Sequence, residues 1–240
     1  MDSANIRLFV DQPISDGQTL NLSDAQAQYL YAVMRQRAGG HVRAFDGQNG
    51  EWLARITSLS KRAGQLEATS QLRAQSPAPD LWLCFAPIKK ARMDMIVEKA
   101  TELGATRLLP VITDFAQSGR LRTDRMRAQA IEAAEQCGAL HVPQVEDPRP
   151  LAQLLADWPQ DRPLWFCDEA LSDQATETKP QKNAKGALLI GPEGGFSDSE
   201  RALVRAHPAH VPISLGPLIL RAETAAIAGL VKWHLTQGNW

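Results

Sequence analysis

After residue 80 the chain alternates short apolar runs with stretches of helical periodicity, and this alternation constrains the fold more than any other feature. In the first helical stretch, apolar residues from Met93 to Leu103 recur at the spacing of a buried helix face. The apolar runs cover residues 81–86, 107–112, 163–167, 187–190 and 211–215. Strands that alternate with helices form βαβ units, so the pattern predicts an α/β domain with a mainly parallel sheet.

The first seventy residues have mainly the pattern of β-structure. Residues 41–46 and 52–57 flank a turn-rich sequence that contains Gly47 and Gly50, which predicts a β-hairpin. Earlier in the chain, Ser23 and Gln26 have the spacing of a capping box. They predict the start of a helix, and its apolar side is expected to carry Leu30, Val33 and Met34.

A proline-containing stretch separates the two patterns. Pro77 and Pro79 stand among small and polar residues, where they disfavour both helix and sheet and favour an extended, semi-rigid linker. We therefore predict a first domain over residues 1–72, a linker over residues 73–80 and a second domain over residues 81–240.

Composition narrows the class of protein. The 26 basic and 27 acidic residues give a formal net charge of −1, which excludes a uniformly basic nucleic-acid coat protein but not a local positive patch. Cys84, Cys137 and Cys167 form no CxxC pair, so neither a structural zinc site nor a disulfide framework is predicted. No signal peptide and no apolar run of membrane-spanning length is apparent, and we expect a cytoplasmic protein without a membrane partner.

Two clusters of cations interrupt the neutral background. One contains Lys89, Lys90 and Arg92, and the other contains basic residues between positions 120 and 127. A solvated helix surface and an anion-binding surface both have such a pattern, and charge alone does not separate the two interpretations.

The first candidate ligand loop lies in residues 188–197. A buried strand leads into Gly191-Pro192-Glu193-Gly194-Gly195, and Ser197 and Glu200 then have the spacing of a second capping box. Glycines let a ligand approach the backbone, and ligands of parallel sheets bind at the carboxyl ends of strands. The glycine spacing fits neither the dinucleotide-binding fingerprint nor the P-loop. The segment is therefore either an ordinary tight βα turn or a loop that binds another kind of small molecule.

The second candidate loop lies in residues 215–225. A strand ends at Gly216-Pro217, an apolar stretch with Ile219 and Leu220 follows, and Glu223 is placed in the first turn of the next helix. Unpaired backbone N–H groups favour a carboxylate there, which an ordinary helix start also explains. The large apolar side chains of Ile219 and Leu220 in a loop favour a surface that binds a planar apolar group of a ligand.

These two loops, with KKARMDMIVEKATELGATRLLPV and AIEAAEQCG, resemble the RsmE family of the SPOUT class over nearly the whole chain. That family methylates N3 of a uridine in 16S ribosomal RNA of the small subunit with S-adenosylmethionine. The resemblance implies an N-terminal PUA-like β-barrel that helps to hold RNA and a C-terminal SPOUT α/β domain whose chain forms a trefoil knot. It also implies a homodimer in which the partner completes each active site, and no metal.

The resemblance carries roles to particular residues. Uridine N3–H is a weak acid, so Arg221 is the candidate to stabilise the developing anion, and Glu223 the candidate to accept a proton or orient the arginine. The basic clusters, independently of the resemblance, make Lys89, Arg92 and Arg120 candidate contacts to RNA phosphates, with Arg7 and Arg35 as further candidates from the first domain. The residues that the resemblance implies in cofactor binding are Leu189, Ile190, Gly191, Glu193, Gly194, Gly195, Leu215, Gly216, Ile219, Leu220, Arg221 and Thr224.

Some positions depart from the family pattern. Leu218, Ala139 and Phe115 stand where the family usually has arginine, and Tyr29 where it often has histidine. Because these changes remove groups that can touch RNA, two alternatives stay open: a SPOUT methyltransferase for another RNA position, such as a ribose 2′-hydroxyl, or a non-catalytic RNA-binding assembly factor.

Overall fold

The computed structural model describes residues 6–117, 119, 121–168 and 185–237. The chain divides into two compact units, and the division between Pro77 and Ala78 lies inside the predicted linker. Residues 134–142 belong to the first unit although they lie far along the chain, and residues 78–133 and those from 143 onward form the second. The sequence did not indicate that residues 134–142 belong to the first unit.

A five-stranded sheet forms the first unit. Its strands are β1 (Arg7–Phe9), β2 (Thr19–Asn21), β3 (His41–Phe45), β4 (Glu51–Leu59) and β5 (Gly64–Arg73), in the order β1-β3-β4-β5-β2. β3 and β4 pair antiparallel, which confirms the predicted hairpin, and β1 pairs parallel with β3. Alternate residues such as Leu20, Val42, Ile56 and Leu66 are fully buried and form the core.

The predicted first helix begins as expected but continues as a π-helix after its first α-helical turn. Ser23 caps α1 (Asp24–Gln28) in a complete capping box, and a π-helical turn follows over Tyr29–Val33. The wider i→i+5 turn shifts the apolar face. Leu30 is buried, but Val33 is 65% exposed, so the prediction that Val33 packs on the same side is wrong.

A buried ion-pair network holds residues 134–142 in the first unit. Glu51 is fully buried, and its carboxylate accepts hydrogen bonds from Arg7 Nε at 2.6 Å and Arg73 Nε at 3.0 Å. Arg7 also donates to the carbonyl oxygens of Ala134 at 2.5 Å and Ala139 at 2.9 Å. These carbonyls lie at the end of a helix, where they have no intrahelical partner, so Arg7 satisfies them.

The second unit contains a parallel sheet with helices between its strands. The elements are β6 (Leu81–Phe85), α2 (Lys90–Glu102), β7 (Arg107–Ile112), α3 (Thr123–Cys137, whose end belongs to the first unit), β8 (Gln144–Val145), β9 (Arg149–Pro150), α4 (Leu151–Ala156), β10 (Leu164–Cys167), β11 (Gly186–Ile190), α5 (Asp198–Ala206), β12 (His210–Ile213) and α6 (Ala222–Gln237). The strand order is β12-β10-β11-β6-β7-β8, with β9 beside β7. Every strand pair here is parallel, as the alternating pattern predicts.

Two glycines allow α6 to pack closely on β11. A Cβ atom on Gly186 would lie 2.2 Å from Nε1 of Trp233, and one on Gly229 would lie 2.4 Å from Cδ2 of Leu188. Any larger residue at either position would separate the helix from the strand. This close packing fixes the start of α6 beside the carboxyl end of the sheet.

Candidate active site

A cleft of about 520 Å³ lies at the carboxyl ends of β10, β11 and β12, the three neighbouring strands at one edge of the parallel sheet. The carboxyl ends of the strands are the usual place for a ligand in an α/β sheet. Its lining residues are Cys167, Asp168, Ile190, Gly191, Pro192, Ile213, Leu215, Gly216, Leu218, Leu220, Ala222 and Ala225. Both predicted ligand loops therefore contribute to one cleft.

The first loop is fixed by the residues on both sides of it. A Cβ atom on Gly191 would lie 2.7 Å from the ring of Phe196, and Gly195 has a φ of 70°. Ser197 and Glu200 form the predicted capping box of α5. Glu200 also accepts a hydrogen bond from the backbone N–H of Asp114 at 2.9 Å, which ties the loop to the end of β7.

The second loop begins earlier than the sequence suggests, because β12 ends at Ile213, where its pairing with β10 ends. Ser214 then stabilises the turn: its hydroxyl accepts from Gly216 N–H at 3.2 Å, and its carbonyl accepts from Lys232 Nζ on α6 at 2.8 Å. Gly216 has a φ of 109°, a conformation that side chains disfavour. Beyond it, Ile219 is 83% exposed.

The predicted cofactor residues fall into three groups. Ile190, Gly191, Leu215, Gly216 and Leu220 line the cleft. Leu189 is fully buried in the core of the unit and does not line it. The others belong to the same two loops outside the lining of the cleft: Glu193, Gly194, Gly195, Ile219, Arg221 and Thr224.

The sequence analysis missed the contribution of β10 to the cleft. Asp168 follows the end of this strand, and its fully buried carboxylate pairs with Arg201 and Arg205 of α5. Burial raises the pKa of the Cys167 thiol to about 12, although Lys232 opposes the shift, so this thiol is protonated and not nucleophilic at neutral pH. The available signal was the apolar run 163–167, whose carboxyl end any ligand of the sheet would approach.

The two predicted catalytic residues have contrasting environments. Arg221 is exposed, and within the described ranges its guanidinium has no ion-pair partner. Glu223 is 8% exposed, and its Oε2 is buried without a hydrogen-bond partner in the part of the chain that the structure describes. Its Oε1 lies 3.6 Å from Nε of Arg92. A buried carboxylate oxygen with no partner is costly unless a ligand satisfies it.

The predicted RNA contacts also differ among themselves. Lys89 is exposed at the start of α2, and Arg35 is exposed with a φ of 53°. Arg7 uses its guanidinium inside the first unit, and Arg92 pairs with carboxylates of the site, so an RNA contact by either stays a prediction. Arg120 lies outside the described residues.

Among residues 6–117, 119, 121–168 and 185–237, no group of three or more His, Cys, Asp or Glu side chains is placed to bind a metal ion. None of the helices described here combines the length and apolar character that a bilayer crossing requires.

Comparison with known proteins identifies the family. Residues 74–233 match the RNA methyltransferase domain family, and residues 22–68 match the RNA methyltransferase PUA domain family. The ribosomal RNA small subunit methyltransferase E of Synechocystis is 31% identical over 89% of this chain and 72% of its own length. That of Rickettsia conorii is 28% identical over 95% of both chains.

Solved structures agree. A methyltransferase of Legionella pneumophila in complex with S-adenosylmethionine is 31% identical, with a TM-score of 0.86 over 97% of this chain and 98% of its own. The ribosomal RNA small subunit methyltransferase E of Neisseria gonorrhoeae, bound to S-adenosylmethionine, is 26% identical, with a TM-score of 0.87 over the same shares. This chain, with its PUA domain and its parallel-sheet methyltransferase domain, therefore belongs to the ribosomal RNA small subunit methyltransferase E family.

Proposed function

We propose that this protein transfers a methyl group from S-adenosylmethionine to N3 of a uridine in 16S ribosomal RNA of the small subunit. The observation that carries the proposal is the cleft in which both glycine-proline loops meet at the carboxyl ends of β10, β11 and β12. Its apolar walls, which include Ile213 and Leu220, suit an adenine ring, and the glycine backbone at Gly191 and Gly216 suits the close approach of polar ligand groups.

The residues of the two loops would hold the cofactor, including the six predicted cofactor residues of the loops that do not line the cleft, whereas Leu189 supports the first loop from the core. The bound cofactor supplies a methyl group already activated on a sulfonium, so the protein needs to supply alignment and proton handling. The cleft residues Ile190, Leu215 and Leu220 exclude water from the apolar part of the ligand. Glycine at positions 191 and 216 keeps side chains out of the space next to the backbone.

Arg221 and Glu223 are proposed to act on the uridine. Loss of the N3 proton places negative charge on the uracil ring, and a cation without another ion-pair partner, such as Arg221, stabilises that charge most effectively. Glu223 has an unpartnered buried oxygen, Oε2, which is suited to accept the N3 proton or to orient Arg221. Neither step needs a metal.

The wider organisation follows the family. We propose residues 1–72 as the RNA-holding domain, 73–80 as the linker and 81–240 as the methyltransferase domain. We also propose that the chain from β11 to α6 forms a trefoil knot, that two copies form a homodimer, and that the protein works in the cytoplasm. Lys89, Arg35 and Arg120 remain the proposed contacts to RNA phosphates. For Arg7 and Arg92 an RNA contact would compete with the carboxylates that both side chains already engage.

Methyl transfer to 16S ribosomal RNA from a strain that lacks this protein tests the proposal. Mass mapping after incubation with enzyme and cofactor identifies both the nucleotide and the methylated atom, and we expect N3 of one uridine. Methylation of a ribose hydroxyl would replace the proposal with the alternative SPOUT activity. Absence of transfer, together with no calorimetric heat at millimolar S-adenosylmethionine, would leave a non-catalytic RNA-binding protein.

A single substitution tests the role of Arg221. Removing one preorganised charge-stabilising donor lowers kcat by about a hundredfold in comparable sites, so we expect a loss of this size in Arg221→Ala. Lys99→Ala, which removes a half-buried cation near the end of α2, is the control and should keep wild-type activity. If Arg221→Ala stays within about twofold of wild type, the arginine has no part in the chemical step.

A further inference from the structure

Arg92 lies between two carboxylates that belong to different segments of the site. Its Nη1 donates a hydrogen bond to Oε1 of Glu193 at 3.1 Å, and its Nε lies 3.6 Å from Oε1 of Glu223. Glu193 belongs to the first glycine-proline loop, and Glu223 lies in the first turn of α6, directly after the second loop. One side chain of α2 therefore connects the two segments that form the cleft.

The position of Arg92 in its helix is electrostatically unfavourable. It occupies the first turn of α2, which has no acidic residue and already begins with Lys89 and Lys90. Cations are disfavoured at a helix N-terminus because the macrodipole is positive there. The carboxylates of Glu193 and Glu223, which belong to other elements, offset this unfavourable interaction. The position of Arg92 is therefore stabilised by contacts outside α2.

The burial of the three side chains is unequal. The side chains of Arg92 and Glu193 are 33% and 32% exposed, whereas that of Glu223 is 11% exposed. A surface ion pair such as Arg92–Glu193 contributes little to stability, but a buried carboxylate depends strongly on a nearby cation. Arg92 engages Oε1 of Glu223 and leaves Oε2 without a partner. The 3.6 Å separation is an ion pair without a hydrogen bond, so Arg92 attracts one oxygen of the carboxylate and leaves the other available to another group.

We propose that Arg92 is a positioning residue, which holds the first loop and Glu223 in register and presents Oε2 of Glu223 to the substrate. This inference rests on the proposed methyl transfer. It differs from the phosphate contact predicted from sequence, because a guanidinium already engaged by two carboxylates has little net charge to offer to RNA.

The kinetic constants separate the two roles. Misplacing reacting groups by about 1 Å costs roughly a hundredfold in rate, so Arg92→Gln should lower kcat by about that factor and leave KM for RNA unchanged. A phosphate contact would instead raise KM and reduce the slope of log K against log salt by about one. Arg92→Lys keeps the charge but loses the planar fork that reaches both carboxylates, so its kcat should lie between those of wild type and Arg92→Gln.

A matched control exists on the same helix. Lys99 also lies between two carboxylates, with Nζ 2.7 Å from Glu98 and 2.8 Å from Glu102, but it contacts neither loop. Lys99→Gln removes the same charge from a similar arrangement and should leave kcat, KM and the salt slope at wild-type values. An equal loss of kcat in Lys99→Gln would show a general effect of charge on α2 and would overturn the proposal.

The free protein offers a readout that does not depend on methyl transfer. Arg92→Gln leaves the buried carboxylate of Glu223 without a compensating cation, so the urea midpoint of unfolding should fall. The double variant Arg92→Gln/Glu223→Gln no longer buries that charge and should recover most of the lost midpoint. Strictly additive shifts would overturn the inference, as would an Arg92→Gln enzyme with wild-type kcat and a lower salt slope. If the wild type transfers no methyl group, the proposed function fails, while the urea series still decides whether Arg92 orders Glu223.

Discussion

Substitution of Gly191 has a consequence that the structure defines sharply. A Cβ atom at this position would lie 2.7 Å from Cε2 and 3.1 Å from Cδ2 of Phe196. The ring has little room to move, because Phe196 is 3% exposed and meets the ring of Phe166 edge-on with centroids 5.0 Å apart. In Gly191→Ala the loop backbone therefore shifts toward the cleft instead of the ring shifting into the core.

The size of the effect follows from the overlap. Carbon atoms pack best at about 3.5–4.0 Å, so the added methyl group is nearly 1 Å too close to the ring. Overpacking of this kind costs about 1–3 kcal/mol. If the loop takes up the displacement, the same energy is lost from the binding of a ligand in the cleft, which corresponds to a rise of about 5- to 150-fold in Kd.

Titration calorimetry with S-adenosylmethionine measures this change directly. Gly119→Ala is the control, because no atom of the residues that the structure describes lies within 4 Å of a Cβ atom there, and its Kd should equal that of wild type. Phe196→Leu in the same chain as Gly191→Ala removes the ring atoms that the methyl group meets, so it should recover much of the affinity. A Kd of Gly191→Ala within twofold of wild type, or a double variant no better than the single one, would refute the steric explanation.

Two ion-pair networks give further predictions. Glu51→Gln should lower the free energy of unfolding by about 3–5 kcal/mol, because it leaves the buried Arg7 without a carboxylate. Burial works to raise the pKa of Glu51, but hydrogen bonds from Arg73 and Arg7 hold it below its ordinary value of 4.5. The stabilisation that ionised Glu51 contributes is therefore present above pH 4.5 and is lost as the pH falls through the lower pKa of the folded state. In urea unfolding, the difference in the free energy of unfolding between Glu51→Gln and wild type should become smaller only at acidic pH. A difference that does not depend on pH would contradict this. Asp168→Asn should cost a similar amount, about 3–5 kcal/mol, in the same assay, because Arg201 is largely buried against it. Asp124→Asn, which removes one partner of an exposed ion pair, should leave the urea midpoint close to that of wild type, and equal losses in the two variants would refute the burial argument.

The features that sequence predicts correctly are those with local causes. The capping boxes of Ser23 and Ser197 depend on residues three positions apart, and both are present. The β3–β4 hairpin depends on the turn between two alternating runs, and the parallel sheet depends on apolar runs separated by helices. Both loops of the cleft were located from sequence because a strand followed by glycine, proline and a helix is a contiguous pattern.

The features that sequence misses have distant or weak causes. β8, β9 and α4 have two, two and six residues, too few for a periodic pattern to be recognised. The π-helical turn at Tyr29–Val33 follows a sequence that an α-helix would fit equally well. Arg7 is an ordinary cation in sequence, but its partner Ala134 lies 127 residues away and only the folded chain brings them together.

Arg92 shows why charge patterns alone misplace function. Its neighbours in sequence, Lys89 and Lys90, make it part of a basic cluster, whereas its partners Glu193 and Glu223 lie 101 and 131 residues further on. With those partners it forms a group of formal charge −1, which repels RNA phosphates and suits a cationic ligand. The exposed Arg221 adds a positive charge to the second loop. Because Arg92 is engaged by carboxylates, in the proposed reaction the cations that attract RNA belong at the periphery of the site, where Lys89 is exposed.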